Sequence, residues 1–174
     1  SIPSVTLSST SSSITCAIPQ VTLNAANTTT NAGYVWSGPG VSSSTVQIIT
    51  TTLQGVYTVT VTDLSSSCTG TASISITTYT DVAITASIIP ATCNGTVSNN
   101  NGTILAFNFG AQDKFDLVSG NTYTGSATYL TATGIPTTGI ITNTLANPQT
   151  TVAYTIRFFD DKGCIKDTTL ILTP

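Results

Sequence analysis

The sequence predicts an all-β protein built from two tandem β-sandwich domains. Three observations carry that reading. Short alternating runs rich in Val, Ile, Thr and Tyr are broken by Gly, Asp, Asn and Ser turns throughout. A motif repeats 97 residues later in the chain. Each half carries one cysteine near its start and one near its end, Cys16 and Cys68, then Cys93 and Cys164.

The repeat is clearest where Tyr57-Thr-Val-Thr-Val-Thr-Asp63 is laid over Tyr154-Thr-Ile-Arg-Phe-Phe-Asp160. Alternation puts Tyr57, Val59 and Val61 on one face of a half-buried strand, with Val56, Thr58 and Thr60 on the other. Ile156 and Phe158 follow the same rule. Each copy runs on through a polar turn to a cysteine and then to a closing strand, Ala72 to Thr77 or Thr168 to Thr173, so both halves end in a hairpin. Opening strands are expected from Ser4 to Leu7 and from Val82 to Ala86. Between these landmarks the first half offers Val21 to Leu23, Gly33 to Gly40 and Val46 to Ile49, the strand-and-turn rhythm of a sandwich. Trp36, Tyr57 and Tyr154 are expected in the core. The boundary is placed so that the domains span 1–79 and 80–174. The second carries an insertion at 113–133, read as an extra hairpin or a large loop.

Four cysteines without C-x-x-C or other metal spacing read as structural disulfides of an oxidising compartment. Four cysteines allow three connectivities. The repeat favours Cys16 with Cys68 and Cys93 with Cys164, each bridge inside one domain and each adding about 4 kcal/mol by loop entropy.

Composition excludes several function classes. Only 6% of residues are charged against 40% hydrophobic, and the net charge is −3. The four basic residues, Lys114, Arg157, Lys162 and Lys166, are too few to neutralise a run of phosphates, so neither nucleic acid nor an anionic membrane is an expected partner. No window is long and apolar enough for a membrane helix. The chain has no Met and is expected to be a piece of a longer, processed protein. It has no His, and all seven acidic residues are Asp, which removes the usual parts of triads, most zinc sites and Glu-based acid catalysis. An enzyme is not expected.

Tyr34-Val-Trp-Ser-Gly-Pro-Gly40, Gly55 to Asp63 and Cys68 together resemble immunoglobulin-like and PKD-like modules of Bacteroidota surface proteins. Thr92-Cys-Asn-Gly-Thr96, Asn99-Asn-Asn-Gly-Thr103, Asp113 to Asp116, Tyr123-Thr-Gly125 and Tyr154 to Cys164 resemble the SprB-type repeats of gliding-motility adhesins. The resemblance implies two PKD-like, immunoglobulin-like sandwiches, export and attachment at the bacterial cell surface. One departure stands out. In antibody-type domains a corner tyrosine lies two residues before the second bridging cysteine, and here Val59 fills that place after Tyr57.

Candidate sites are sparse. Asp63, Asp160 and Asp161 are weak calcium candidates, weighed against turn capping; otherwise no cofactor is expected. Asp113 and Asp116 are the one carboxylate pair outside the repeated hairpin, too isolated for glycoside hydrolysis. Phe115, Tyr123 and Tyr129 form a candidate sugar-stacking surface. Asn27, Asn94 and Asn101 open N-x-Thr sequons, and Thr168, after Asp167, is a candidate O-glycosylation site. The expected function is that of a structural repeat unit in a secreted adhesin or extracellular filament, with neighbouring repeats and surface glycans as partners. The alternatives are a carbohydrate-binding accessory module and a fibre subunit assembled by strand addition.

Overall fold

The computed structural model describes residues 2–42, 44–79 and 81–174. Among them every regular element is a strand. The chain divides into two compact units, Ser1–Thr80 and Asp81–Pro174, within a residue of the expected boundary.

In the first unit β1 (Val5–Ser9), β3 (Val21–Asn27) and β6 (Ile48–Thr51) form one sheet. The other has the order β2 (Ser13–Ile14), β8 (Thr69–Thr78), β7 (Gly55–Asp63), β4 (Ala32–Gly38), β5 (Val41–Ser42). All pairings are antiparallel except β2 with β8. Lettered as an immunoglobulin domain, the sheets are A-B-E and A′-G-F-C-C′. Period-two patterning makes the core: Val21, Leu23 and Ala25 of β3 meet Tyr57, Val59 and Val61 of β7, all with no solvent exposure. Trp36 fills the space beside them, its indole Nε1 donating to the Val46 carbonyl at 2.7 Å. It lies opposite Val59 in the β4–β7 register. An apolar Trp–Val pair thus stands where antibody-type domains place tryptophan against a disulfide.

Tyr57 makes a tyrosine corner. Its hydroxyl lies 2.8 Å from the Leu53 carbonyl, four residues upstream, and also bonds the Thr51 hydroxyl. The ring needs Gly38, where φ is +151° and a β-carbon would come 2.6 Å from the Tyr57 ring.

The second unit repeats the plan. β9 (Thr85–Ile89), β12 (Gly102–Phe107) and β15 (Ile140–Leu145) pair as A-B-E; β17 (Ile165–Leu172), β16 (Val152–Phe159), β13 (Lys114–Ser119) and β14 (Thr133–Gly134) pair as G-F-C-C′. A small hairpin, β10 (Cys93–Asn94) with β11 (Val97–Ser98), interrupts the passage from A to B. Val82, Ile84, Ile104, Ile156, Phe158 and Leu172 are buried.

Several expectations are corrected. Of the two forms expected for residues 113–133, the large loop is the one found: the segment contains strand C, then a long loop that ends at C′. Phe115 is not a surface residue but a core residue, 8% exposed, opposite Phe158. Tyr154 occupies the register position expected of it, between Ser119 and Leu170, but is only half-buried.

The cysteine pairing is also overturned. Cys16 and Cys164 are disulfide-bonded, whereas Cys68 and Cys93 carry free thiols. Neither intradomain bridge forms, and strand geometry explains why. Cys16 follows β2, which pairs with Thr77 and Thr78 at the end of β8, while Cys68 precedes the start of that ten-residue strand. At about 3.3 Å per residue the two lie roughly 30 Å apart, against the 4.4–6.8 Å usual between bridged Cα atoms. In the second unit Cys164 immediately precedes β17, whose Lys166 ammonium donates to the Val82 carbonyl. Cys93 lies beyond the far end of β9, near Asn147.

Truncating Trp36→Ala should cost the first unit about 3–5 kcal/mol. Tyr57→Phe should cost about 1–3 kcal/mol through the unpaired corner carbonyl. Urea melts checked against domain-specific probes measure both. Maleimide treatment of the unreduced, folded protein should label Cys68 and Cys93 and leave Cys16 and Cys164 unmodified, as read by peptide mass spectrometry.

Candidate functional site

In the second unit the sheet face turned away from the core carries the densest polar chemistry. Register aligns Asp116, Arg157 and Asp167 in one cross-strand row, and Lys114, Phe159 and Ile165 in the next. Both rows alternate with the inward row of Phe115 and Phe158, so the pleat sends them outward. The 120–132 loop folds over them.

Arg157 anchors the first row. Its Nε and Nη2 donate to the two Asp167 carboxylate oxygens, each at 2.7 Å, and its guanidinium stacks 3.9 Å from the centre of the Tyr123 ring. The Tyr123 hydroxyl donates to Asp116 Oδ2 at 2.7 Å and accepts from the Ala127 amide. Burial, and then the bond to the Asp116 carboxylate, raise the Tyr123 pKa above the ordinary phenol value, because both favour the neutral phenol. The bond to Asp167 raises Arg157. Gly125 lets the loop come this close, since a β-carbon there would lie 2.5 Å from Asp116 Oδ2.

The second row floors a cavity of about 290 Å³, lined by Ala127, Tyr129, Arg157, Phe159, Asp160 and Ile165 among others. Phe159 is only 5% exposed despite facing outward. Tyr129 is held by its hydroxyl donating to the Gln112 carbonyl at 2.9 Å and by the Lys114 ammonium 4.6 Å from its ring centre. Asp160 is 2% exposed. Its Oδ1 accepts from the Lys162 and Cys164 amides, while its buried Oδ2 has no hydrogen-bond partner. A buried acceptor left unpaired is costly, so a mostly apolar cavity bordered by one is suited to a ligand with an apolar face and a hydrogen-bond donor.

The remaining candidates fall elsewhere. Asp63 caps its turn, accepting from the Ser65 amide and the Ser66 hydroxyl at 2.9 Å each; the first of these bonds is the main cause of its lowered pKa. Asp161 pairs with the Lys162 ammonium at 2.8 Å. Among the described residues no group of three or more His, Cys, Asp or Glu side chains could hold a metal ion. Asp113 accepts from the Gly110 amide, and so Asp113 and Asp116 serve different contacts. Thr168 is half-buried and stands opposite Ile156 in the β16–β17 register. The Asn27 side chain donates to the Tyr34 hydroxyl, and Asn101 accepts from the Thr92 amide, whereas Asn94 is exposed.

Of the expected ligand surface, Tyr129 lines the cavity, Tyr123 braces the loop, and Phe115 belongs to the core. Sequence reading missed Arg157, Asp167, Phe159 and Ile165. One signal was present: Phe158-Phe159 breaks the alternation, and an outward Phe beside an inward one needs a cover.

Wild type minus Tyr123→Phe tyrosinate difference spectra should titrate above about pH 10 in the folded protein and return to about 10 in urea. The sign follows from the raised folded pKa. The stability that Tyr123 contributes is complete below the unfolded value and is lost as pH rises through the folded one.

No protein-family model matches this chain, and no curated protein sequence does. Among solved structures it is similar to the three N-terminal domains of the highly immunogenic outer capsid protein (Hoc) of bacteriophage RB49. The TM-score is 0.51 and the identity 14%, over 98% of this chain and 59% of that one. At that identity the likeness is one of fold, and this chain spans less than two thirds of the Hoc fragment.

Proposed function

We propose that this chain is a structural repeat unit of a secreted bacterial cell-surface adhesin or extracellular filament, of the kind used in gliding or attachment. The observation that carries this reading is the same immunoglobulin-type sandwich, A-B-E against G-F-C-C′, built twice in succession. The nearly uncharged surface, the resemblance of the second half to SprB-type repeats and the fold likeness to an outer capsid protein support it. Its work is mechanical: linked sandwiches hold a surface at a distance, their antiparallel ladders resisting extension.

A second reading, a carbohydrate-binding module, is favoured by the cavity beside Tyr129 and Asp160. A sugar offers both an apolar ring face and hydroxyl donors.

Negative-stain electron microscopy of native material should show long beaded filaments; isolated compact particles would overturn the structural reading. A glycan array decides the second. Binding abolished by Tyr129→Ala and retained by Asn94→Gln supports it, and an empty array removes it.

A further inference from the structure

Asp63 and Asp160 occupy the same place in the repeat, at the end of strand F, where each opens the turn to strand G. In both turns the aspartate amide donates across to a cysteine carbonyl, that of Cys68 or Cys164. The side chains then differ. Both oxygens of Asp63 are satisfied, one by the Ser65 amide and the other by the Ser66 hydroxyl, each at 2.9 Å. At Asp160 the Lys162 and Cys164 amides both donate to Oδ1, at 2.9 and 2.8 Å, and Oδ2 receives no hydrogen bond. The cause is readable in the sequence: three residues past the aspartate stands Ser66 in the first unit and Gly163 in the second, and glycine has no hydroxyl to offer. Exposure also differs. Asp63 is half-exposed, where water serves a carboxylate, whereas Asp160 is 2% exposed.

Asp160 and Gly163 both line the cavity of about 290 Å³, so the turn that leaves Oδ2 unpaired is itself a wall of that cavity. Two charged side chains line it, Asp160 and Arg157. Arg157 is already engaged, with two donors on Asp167 and its face on Tyr123. Lys162, in the same turn as Asp160, directs its ammonium to Asp161 at 2.8 Å. The buried oxygen of Asp160 therefore has a place for one more donor, and a charged donor stabilises a buried carboxylate more than a neutral one does. The other walls include Phe159, Ile165 and Tyr129. They suit an apolar body, and the two aromatic rings add attraction for a cation.

We infer that this cavity binds a primary ammonium carried on an apolar body of about one six-membered ring, the ammonium donating to Asp160 Oδ2 and the body resting on Phe159, Ile165 and Tyr129. A neutral hydroxyl meets the hydrogen bond but leaves the carboxylate charge uncompensated. An anionic group is repelled. A sugar with a free amino group satisfies the site as fully as a hydrocarbon amine, and a neutral sugar satisfies it only in part. The inference thus narrows the carbohydrate reading to a charged donor and is independent of the structural-repeat reading.

The test titrates the full chain, nitrogen-15 labelled and with its disulfide intact, with 2-phenylethylamine, 2-phenylethanol and 3-phenylpropanoate at about pH 7, where the amine is protonated. Amide NMR shifts are the readout. The amine should move the Lys162 and Cys164 amides, which donate to Asp160 Oδ1, and should bind at least about tenfold more tightly than the alcohol. The carboxylate should move neither. Asp160→Asn should reduce the preference for amine over alcohol to about unity, with a thermal melt to show that the variant folds. Ile165→Lys, at an exposed position on the cavity floor, puts a cation beside the site and should reduce the same preference at least about fivefold even if Asp160→Asn does not fold. Glucosamine binding without N-acetylglucosamine binding places the ammonium on a sugar, and phenylethylamine binding alone places it on a hydrocarbon; either supports the inference. Equal affinity for amine and alcohol overturns it, as does an amine that leaves both amides unmoved at about 10 mM. An empty glycan array beside amine binding removes the carbohydrate reading and leaves this one standing.

Discussion

Strand F bears both sheets' demands at once. In each unit it lies between C and G, so its backbone is paired on both sides and its side chains decide what each face does. Its inner row, Tyr57, Val59 and Val61 or Ile156 and Phe158, supplies the apolar burial that drives the two sheets together. Burying every second residue fixes register, since a slip of one residue would turn the apolar row to solvent. The tyrosine corner, the Trp36 contact and the outward rows of the second unit all inherit their positions from that register.

The two units use the outer face of this strand differently. In the first, Thr58 and Thr60 are half-exposed and Thr58 bonds Ser73, a plain polar surface. In the second, Arg157 and Phe159 stand at the positions of Thr60 and Thr62, and a long C–C′ loop is drawn over the sheet by Tyr123 and Tyr129. Arg157 provides what such a loop needs in a chain with few charges: a planar cation that can hold Asp167 in its plane and stack on Tyr123 with its face. The cavity is the space this cover leaves above Phe159 and Ile165.

The cysteines show how a repeat misleads. Recurrence of an early and a late cysteine in each half invites pairing within the half. Yet strand A and the F–G turn deliver them to opposite ends of a sandwich whose long strands separate them by several times the reach of a disulfide. Recurrence reported equivalent positions, and equivalence is silent about distance.

Strand content, the F–G hairpins, the inward rows and the division near residue 80 were legible in the sequence by itself, because period-two burial and turn chemistry are local and leave their mark residue by residue. The cover on the outer sheet, the burial of Phe115, the half-exposure of Tyr154, the unpartnered Asp160 oxygen and the fate of each cysteine were decided only by tertiary structure. These depend on which strands become neighbours, and on how far apart the ends of those strands lie, across separations of tens of residues that no local pattern encodes.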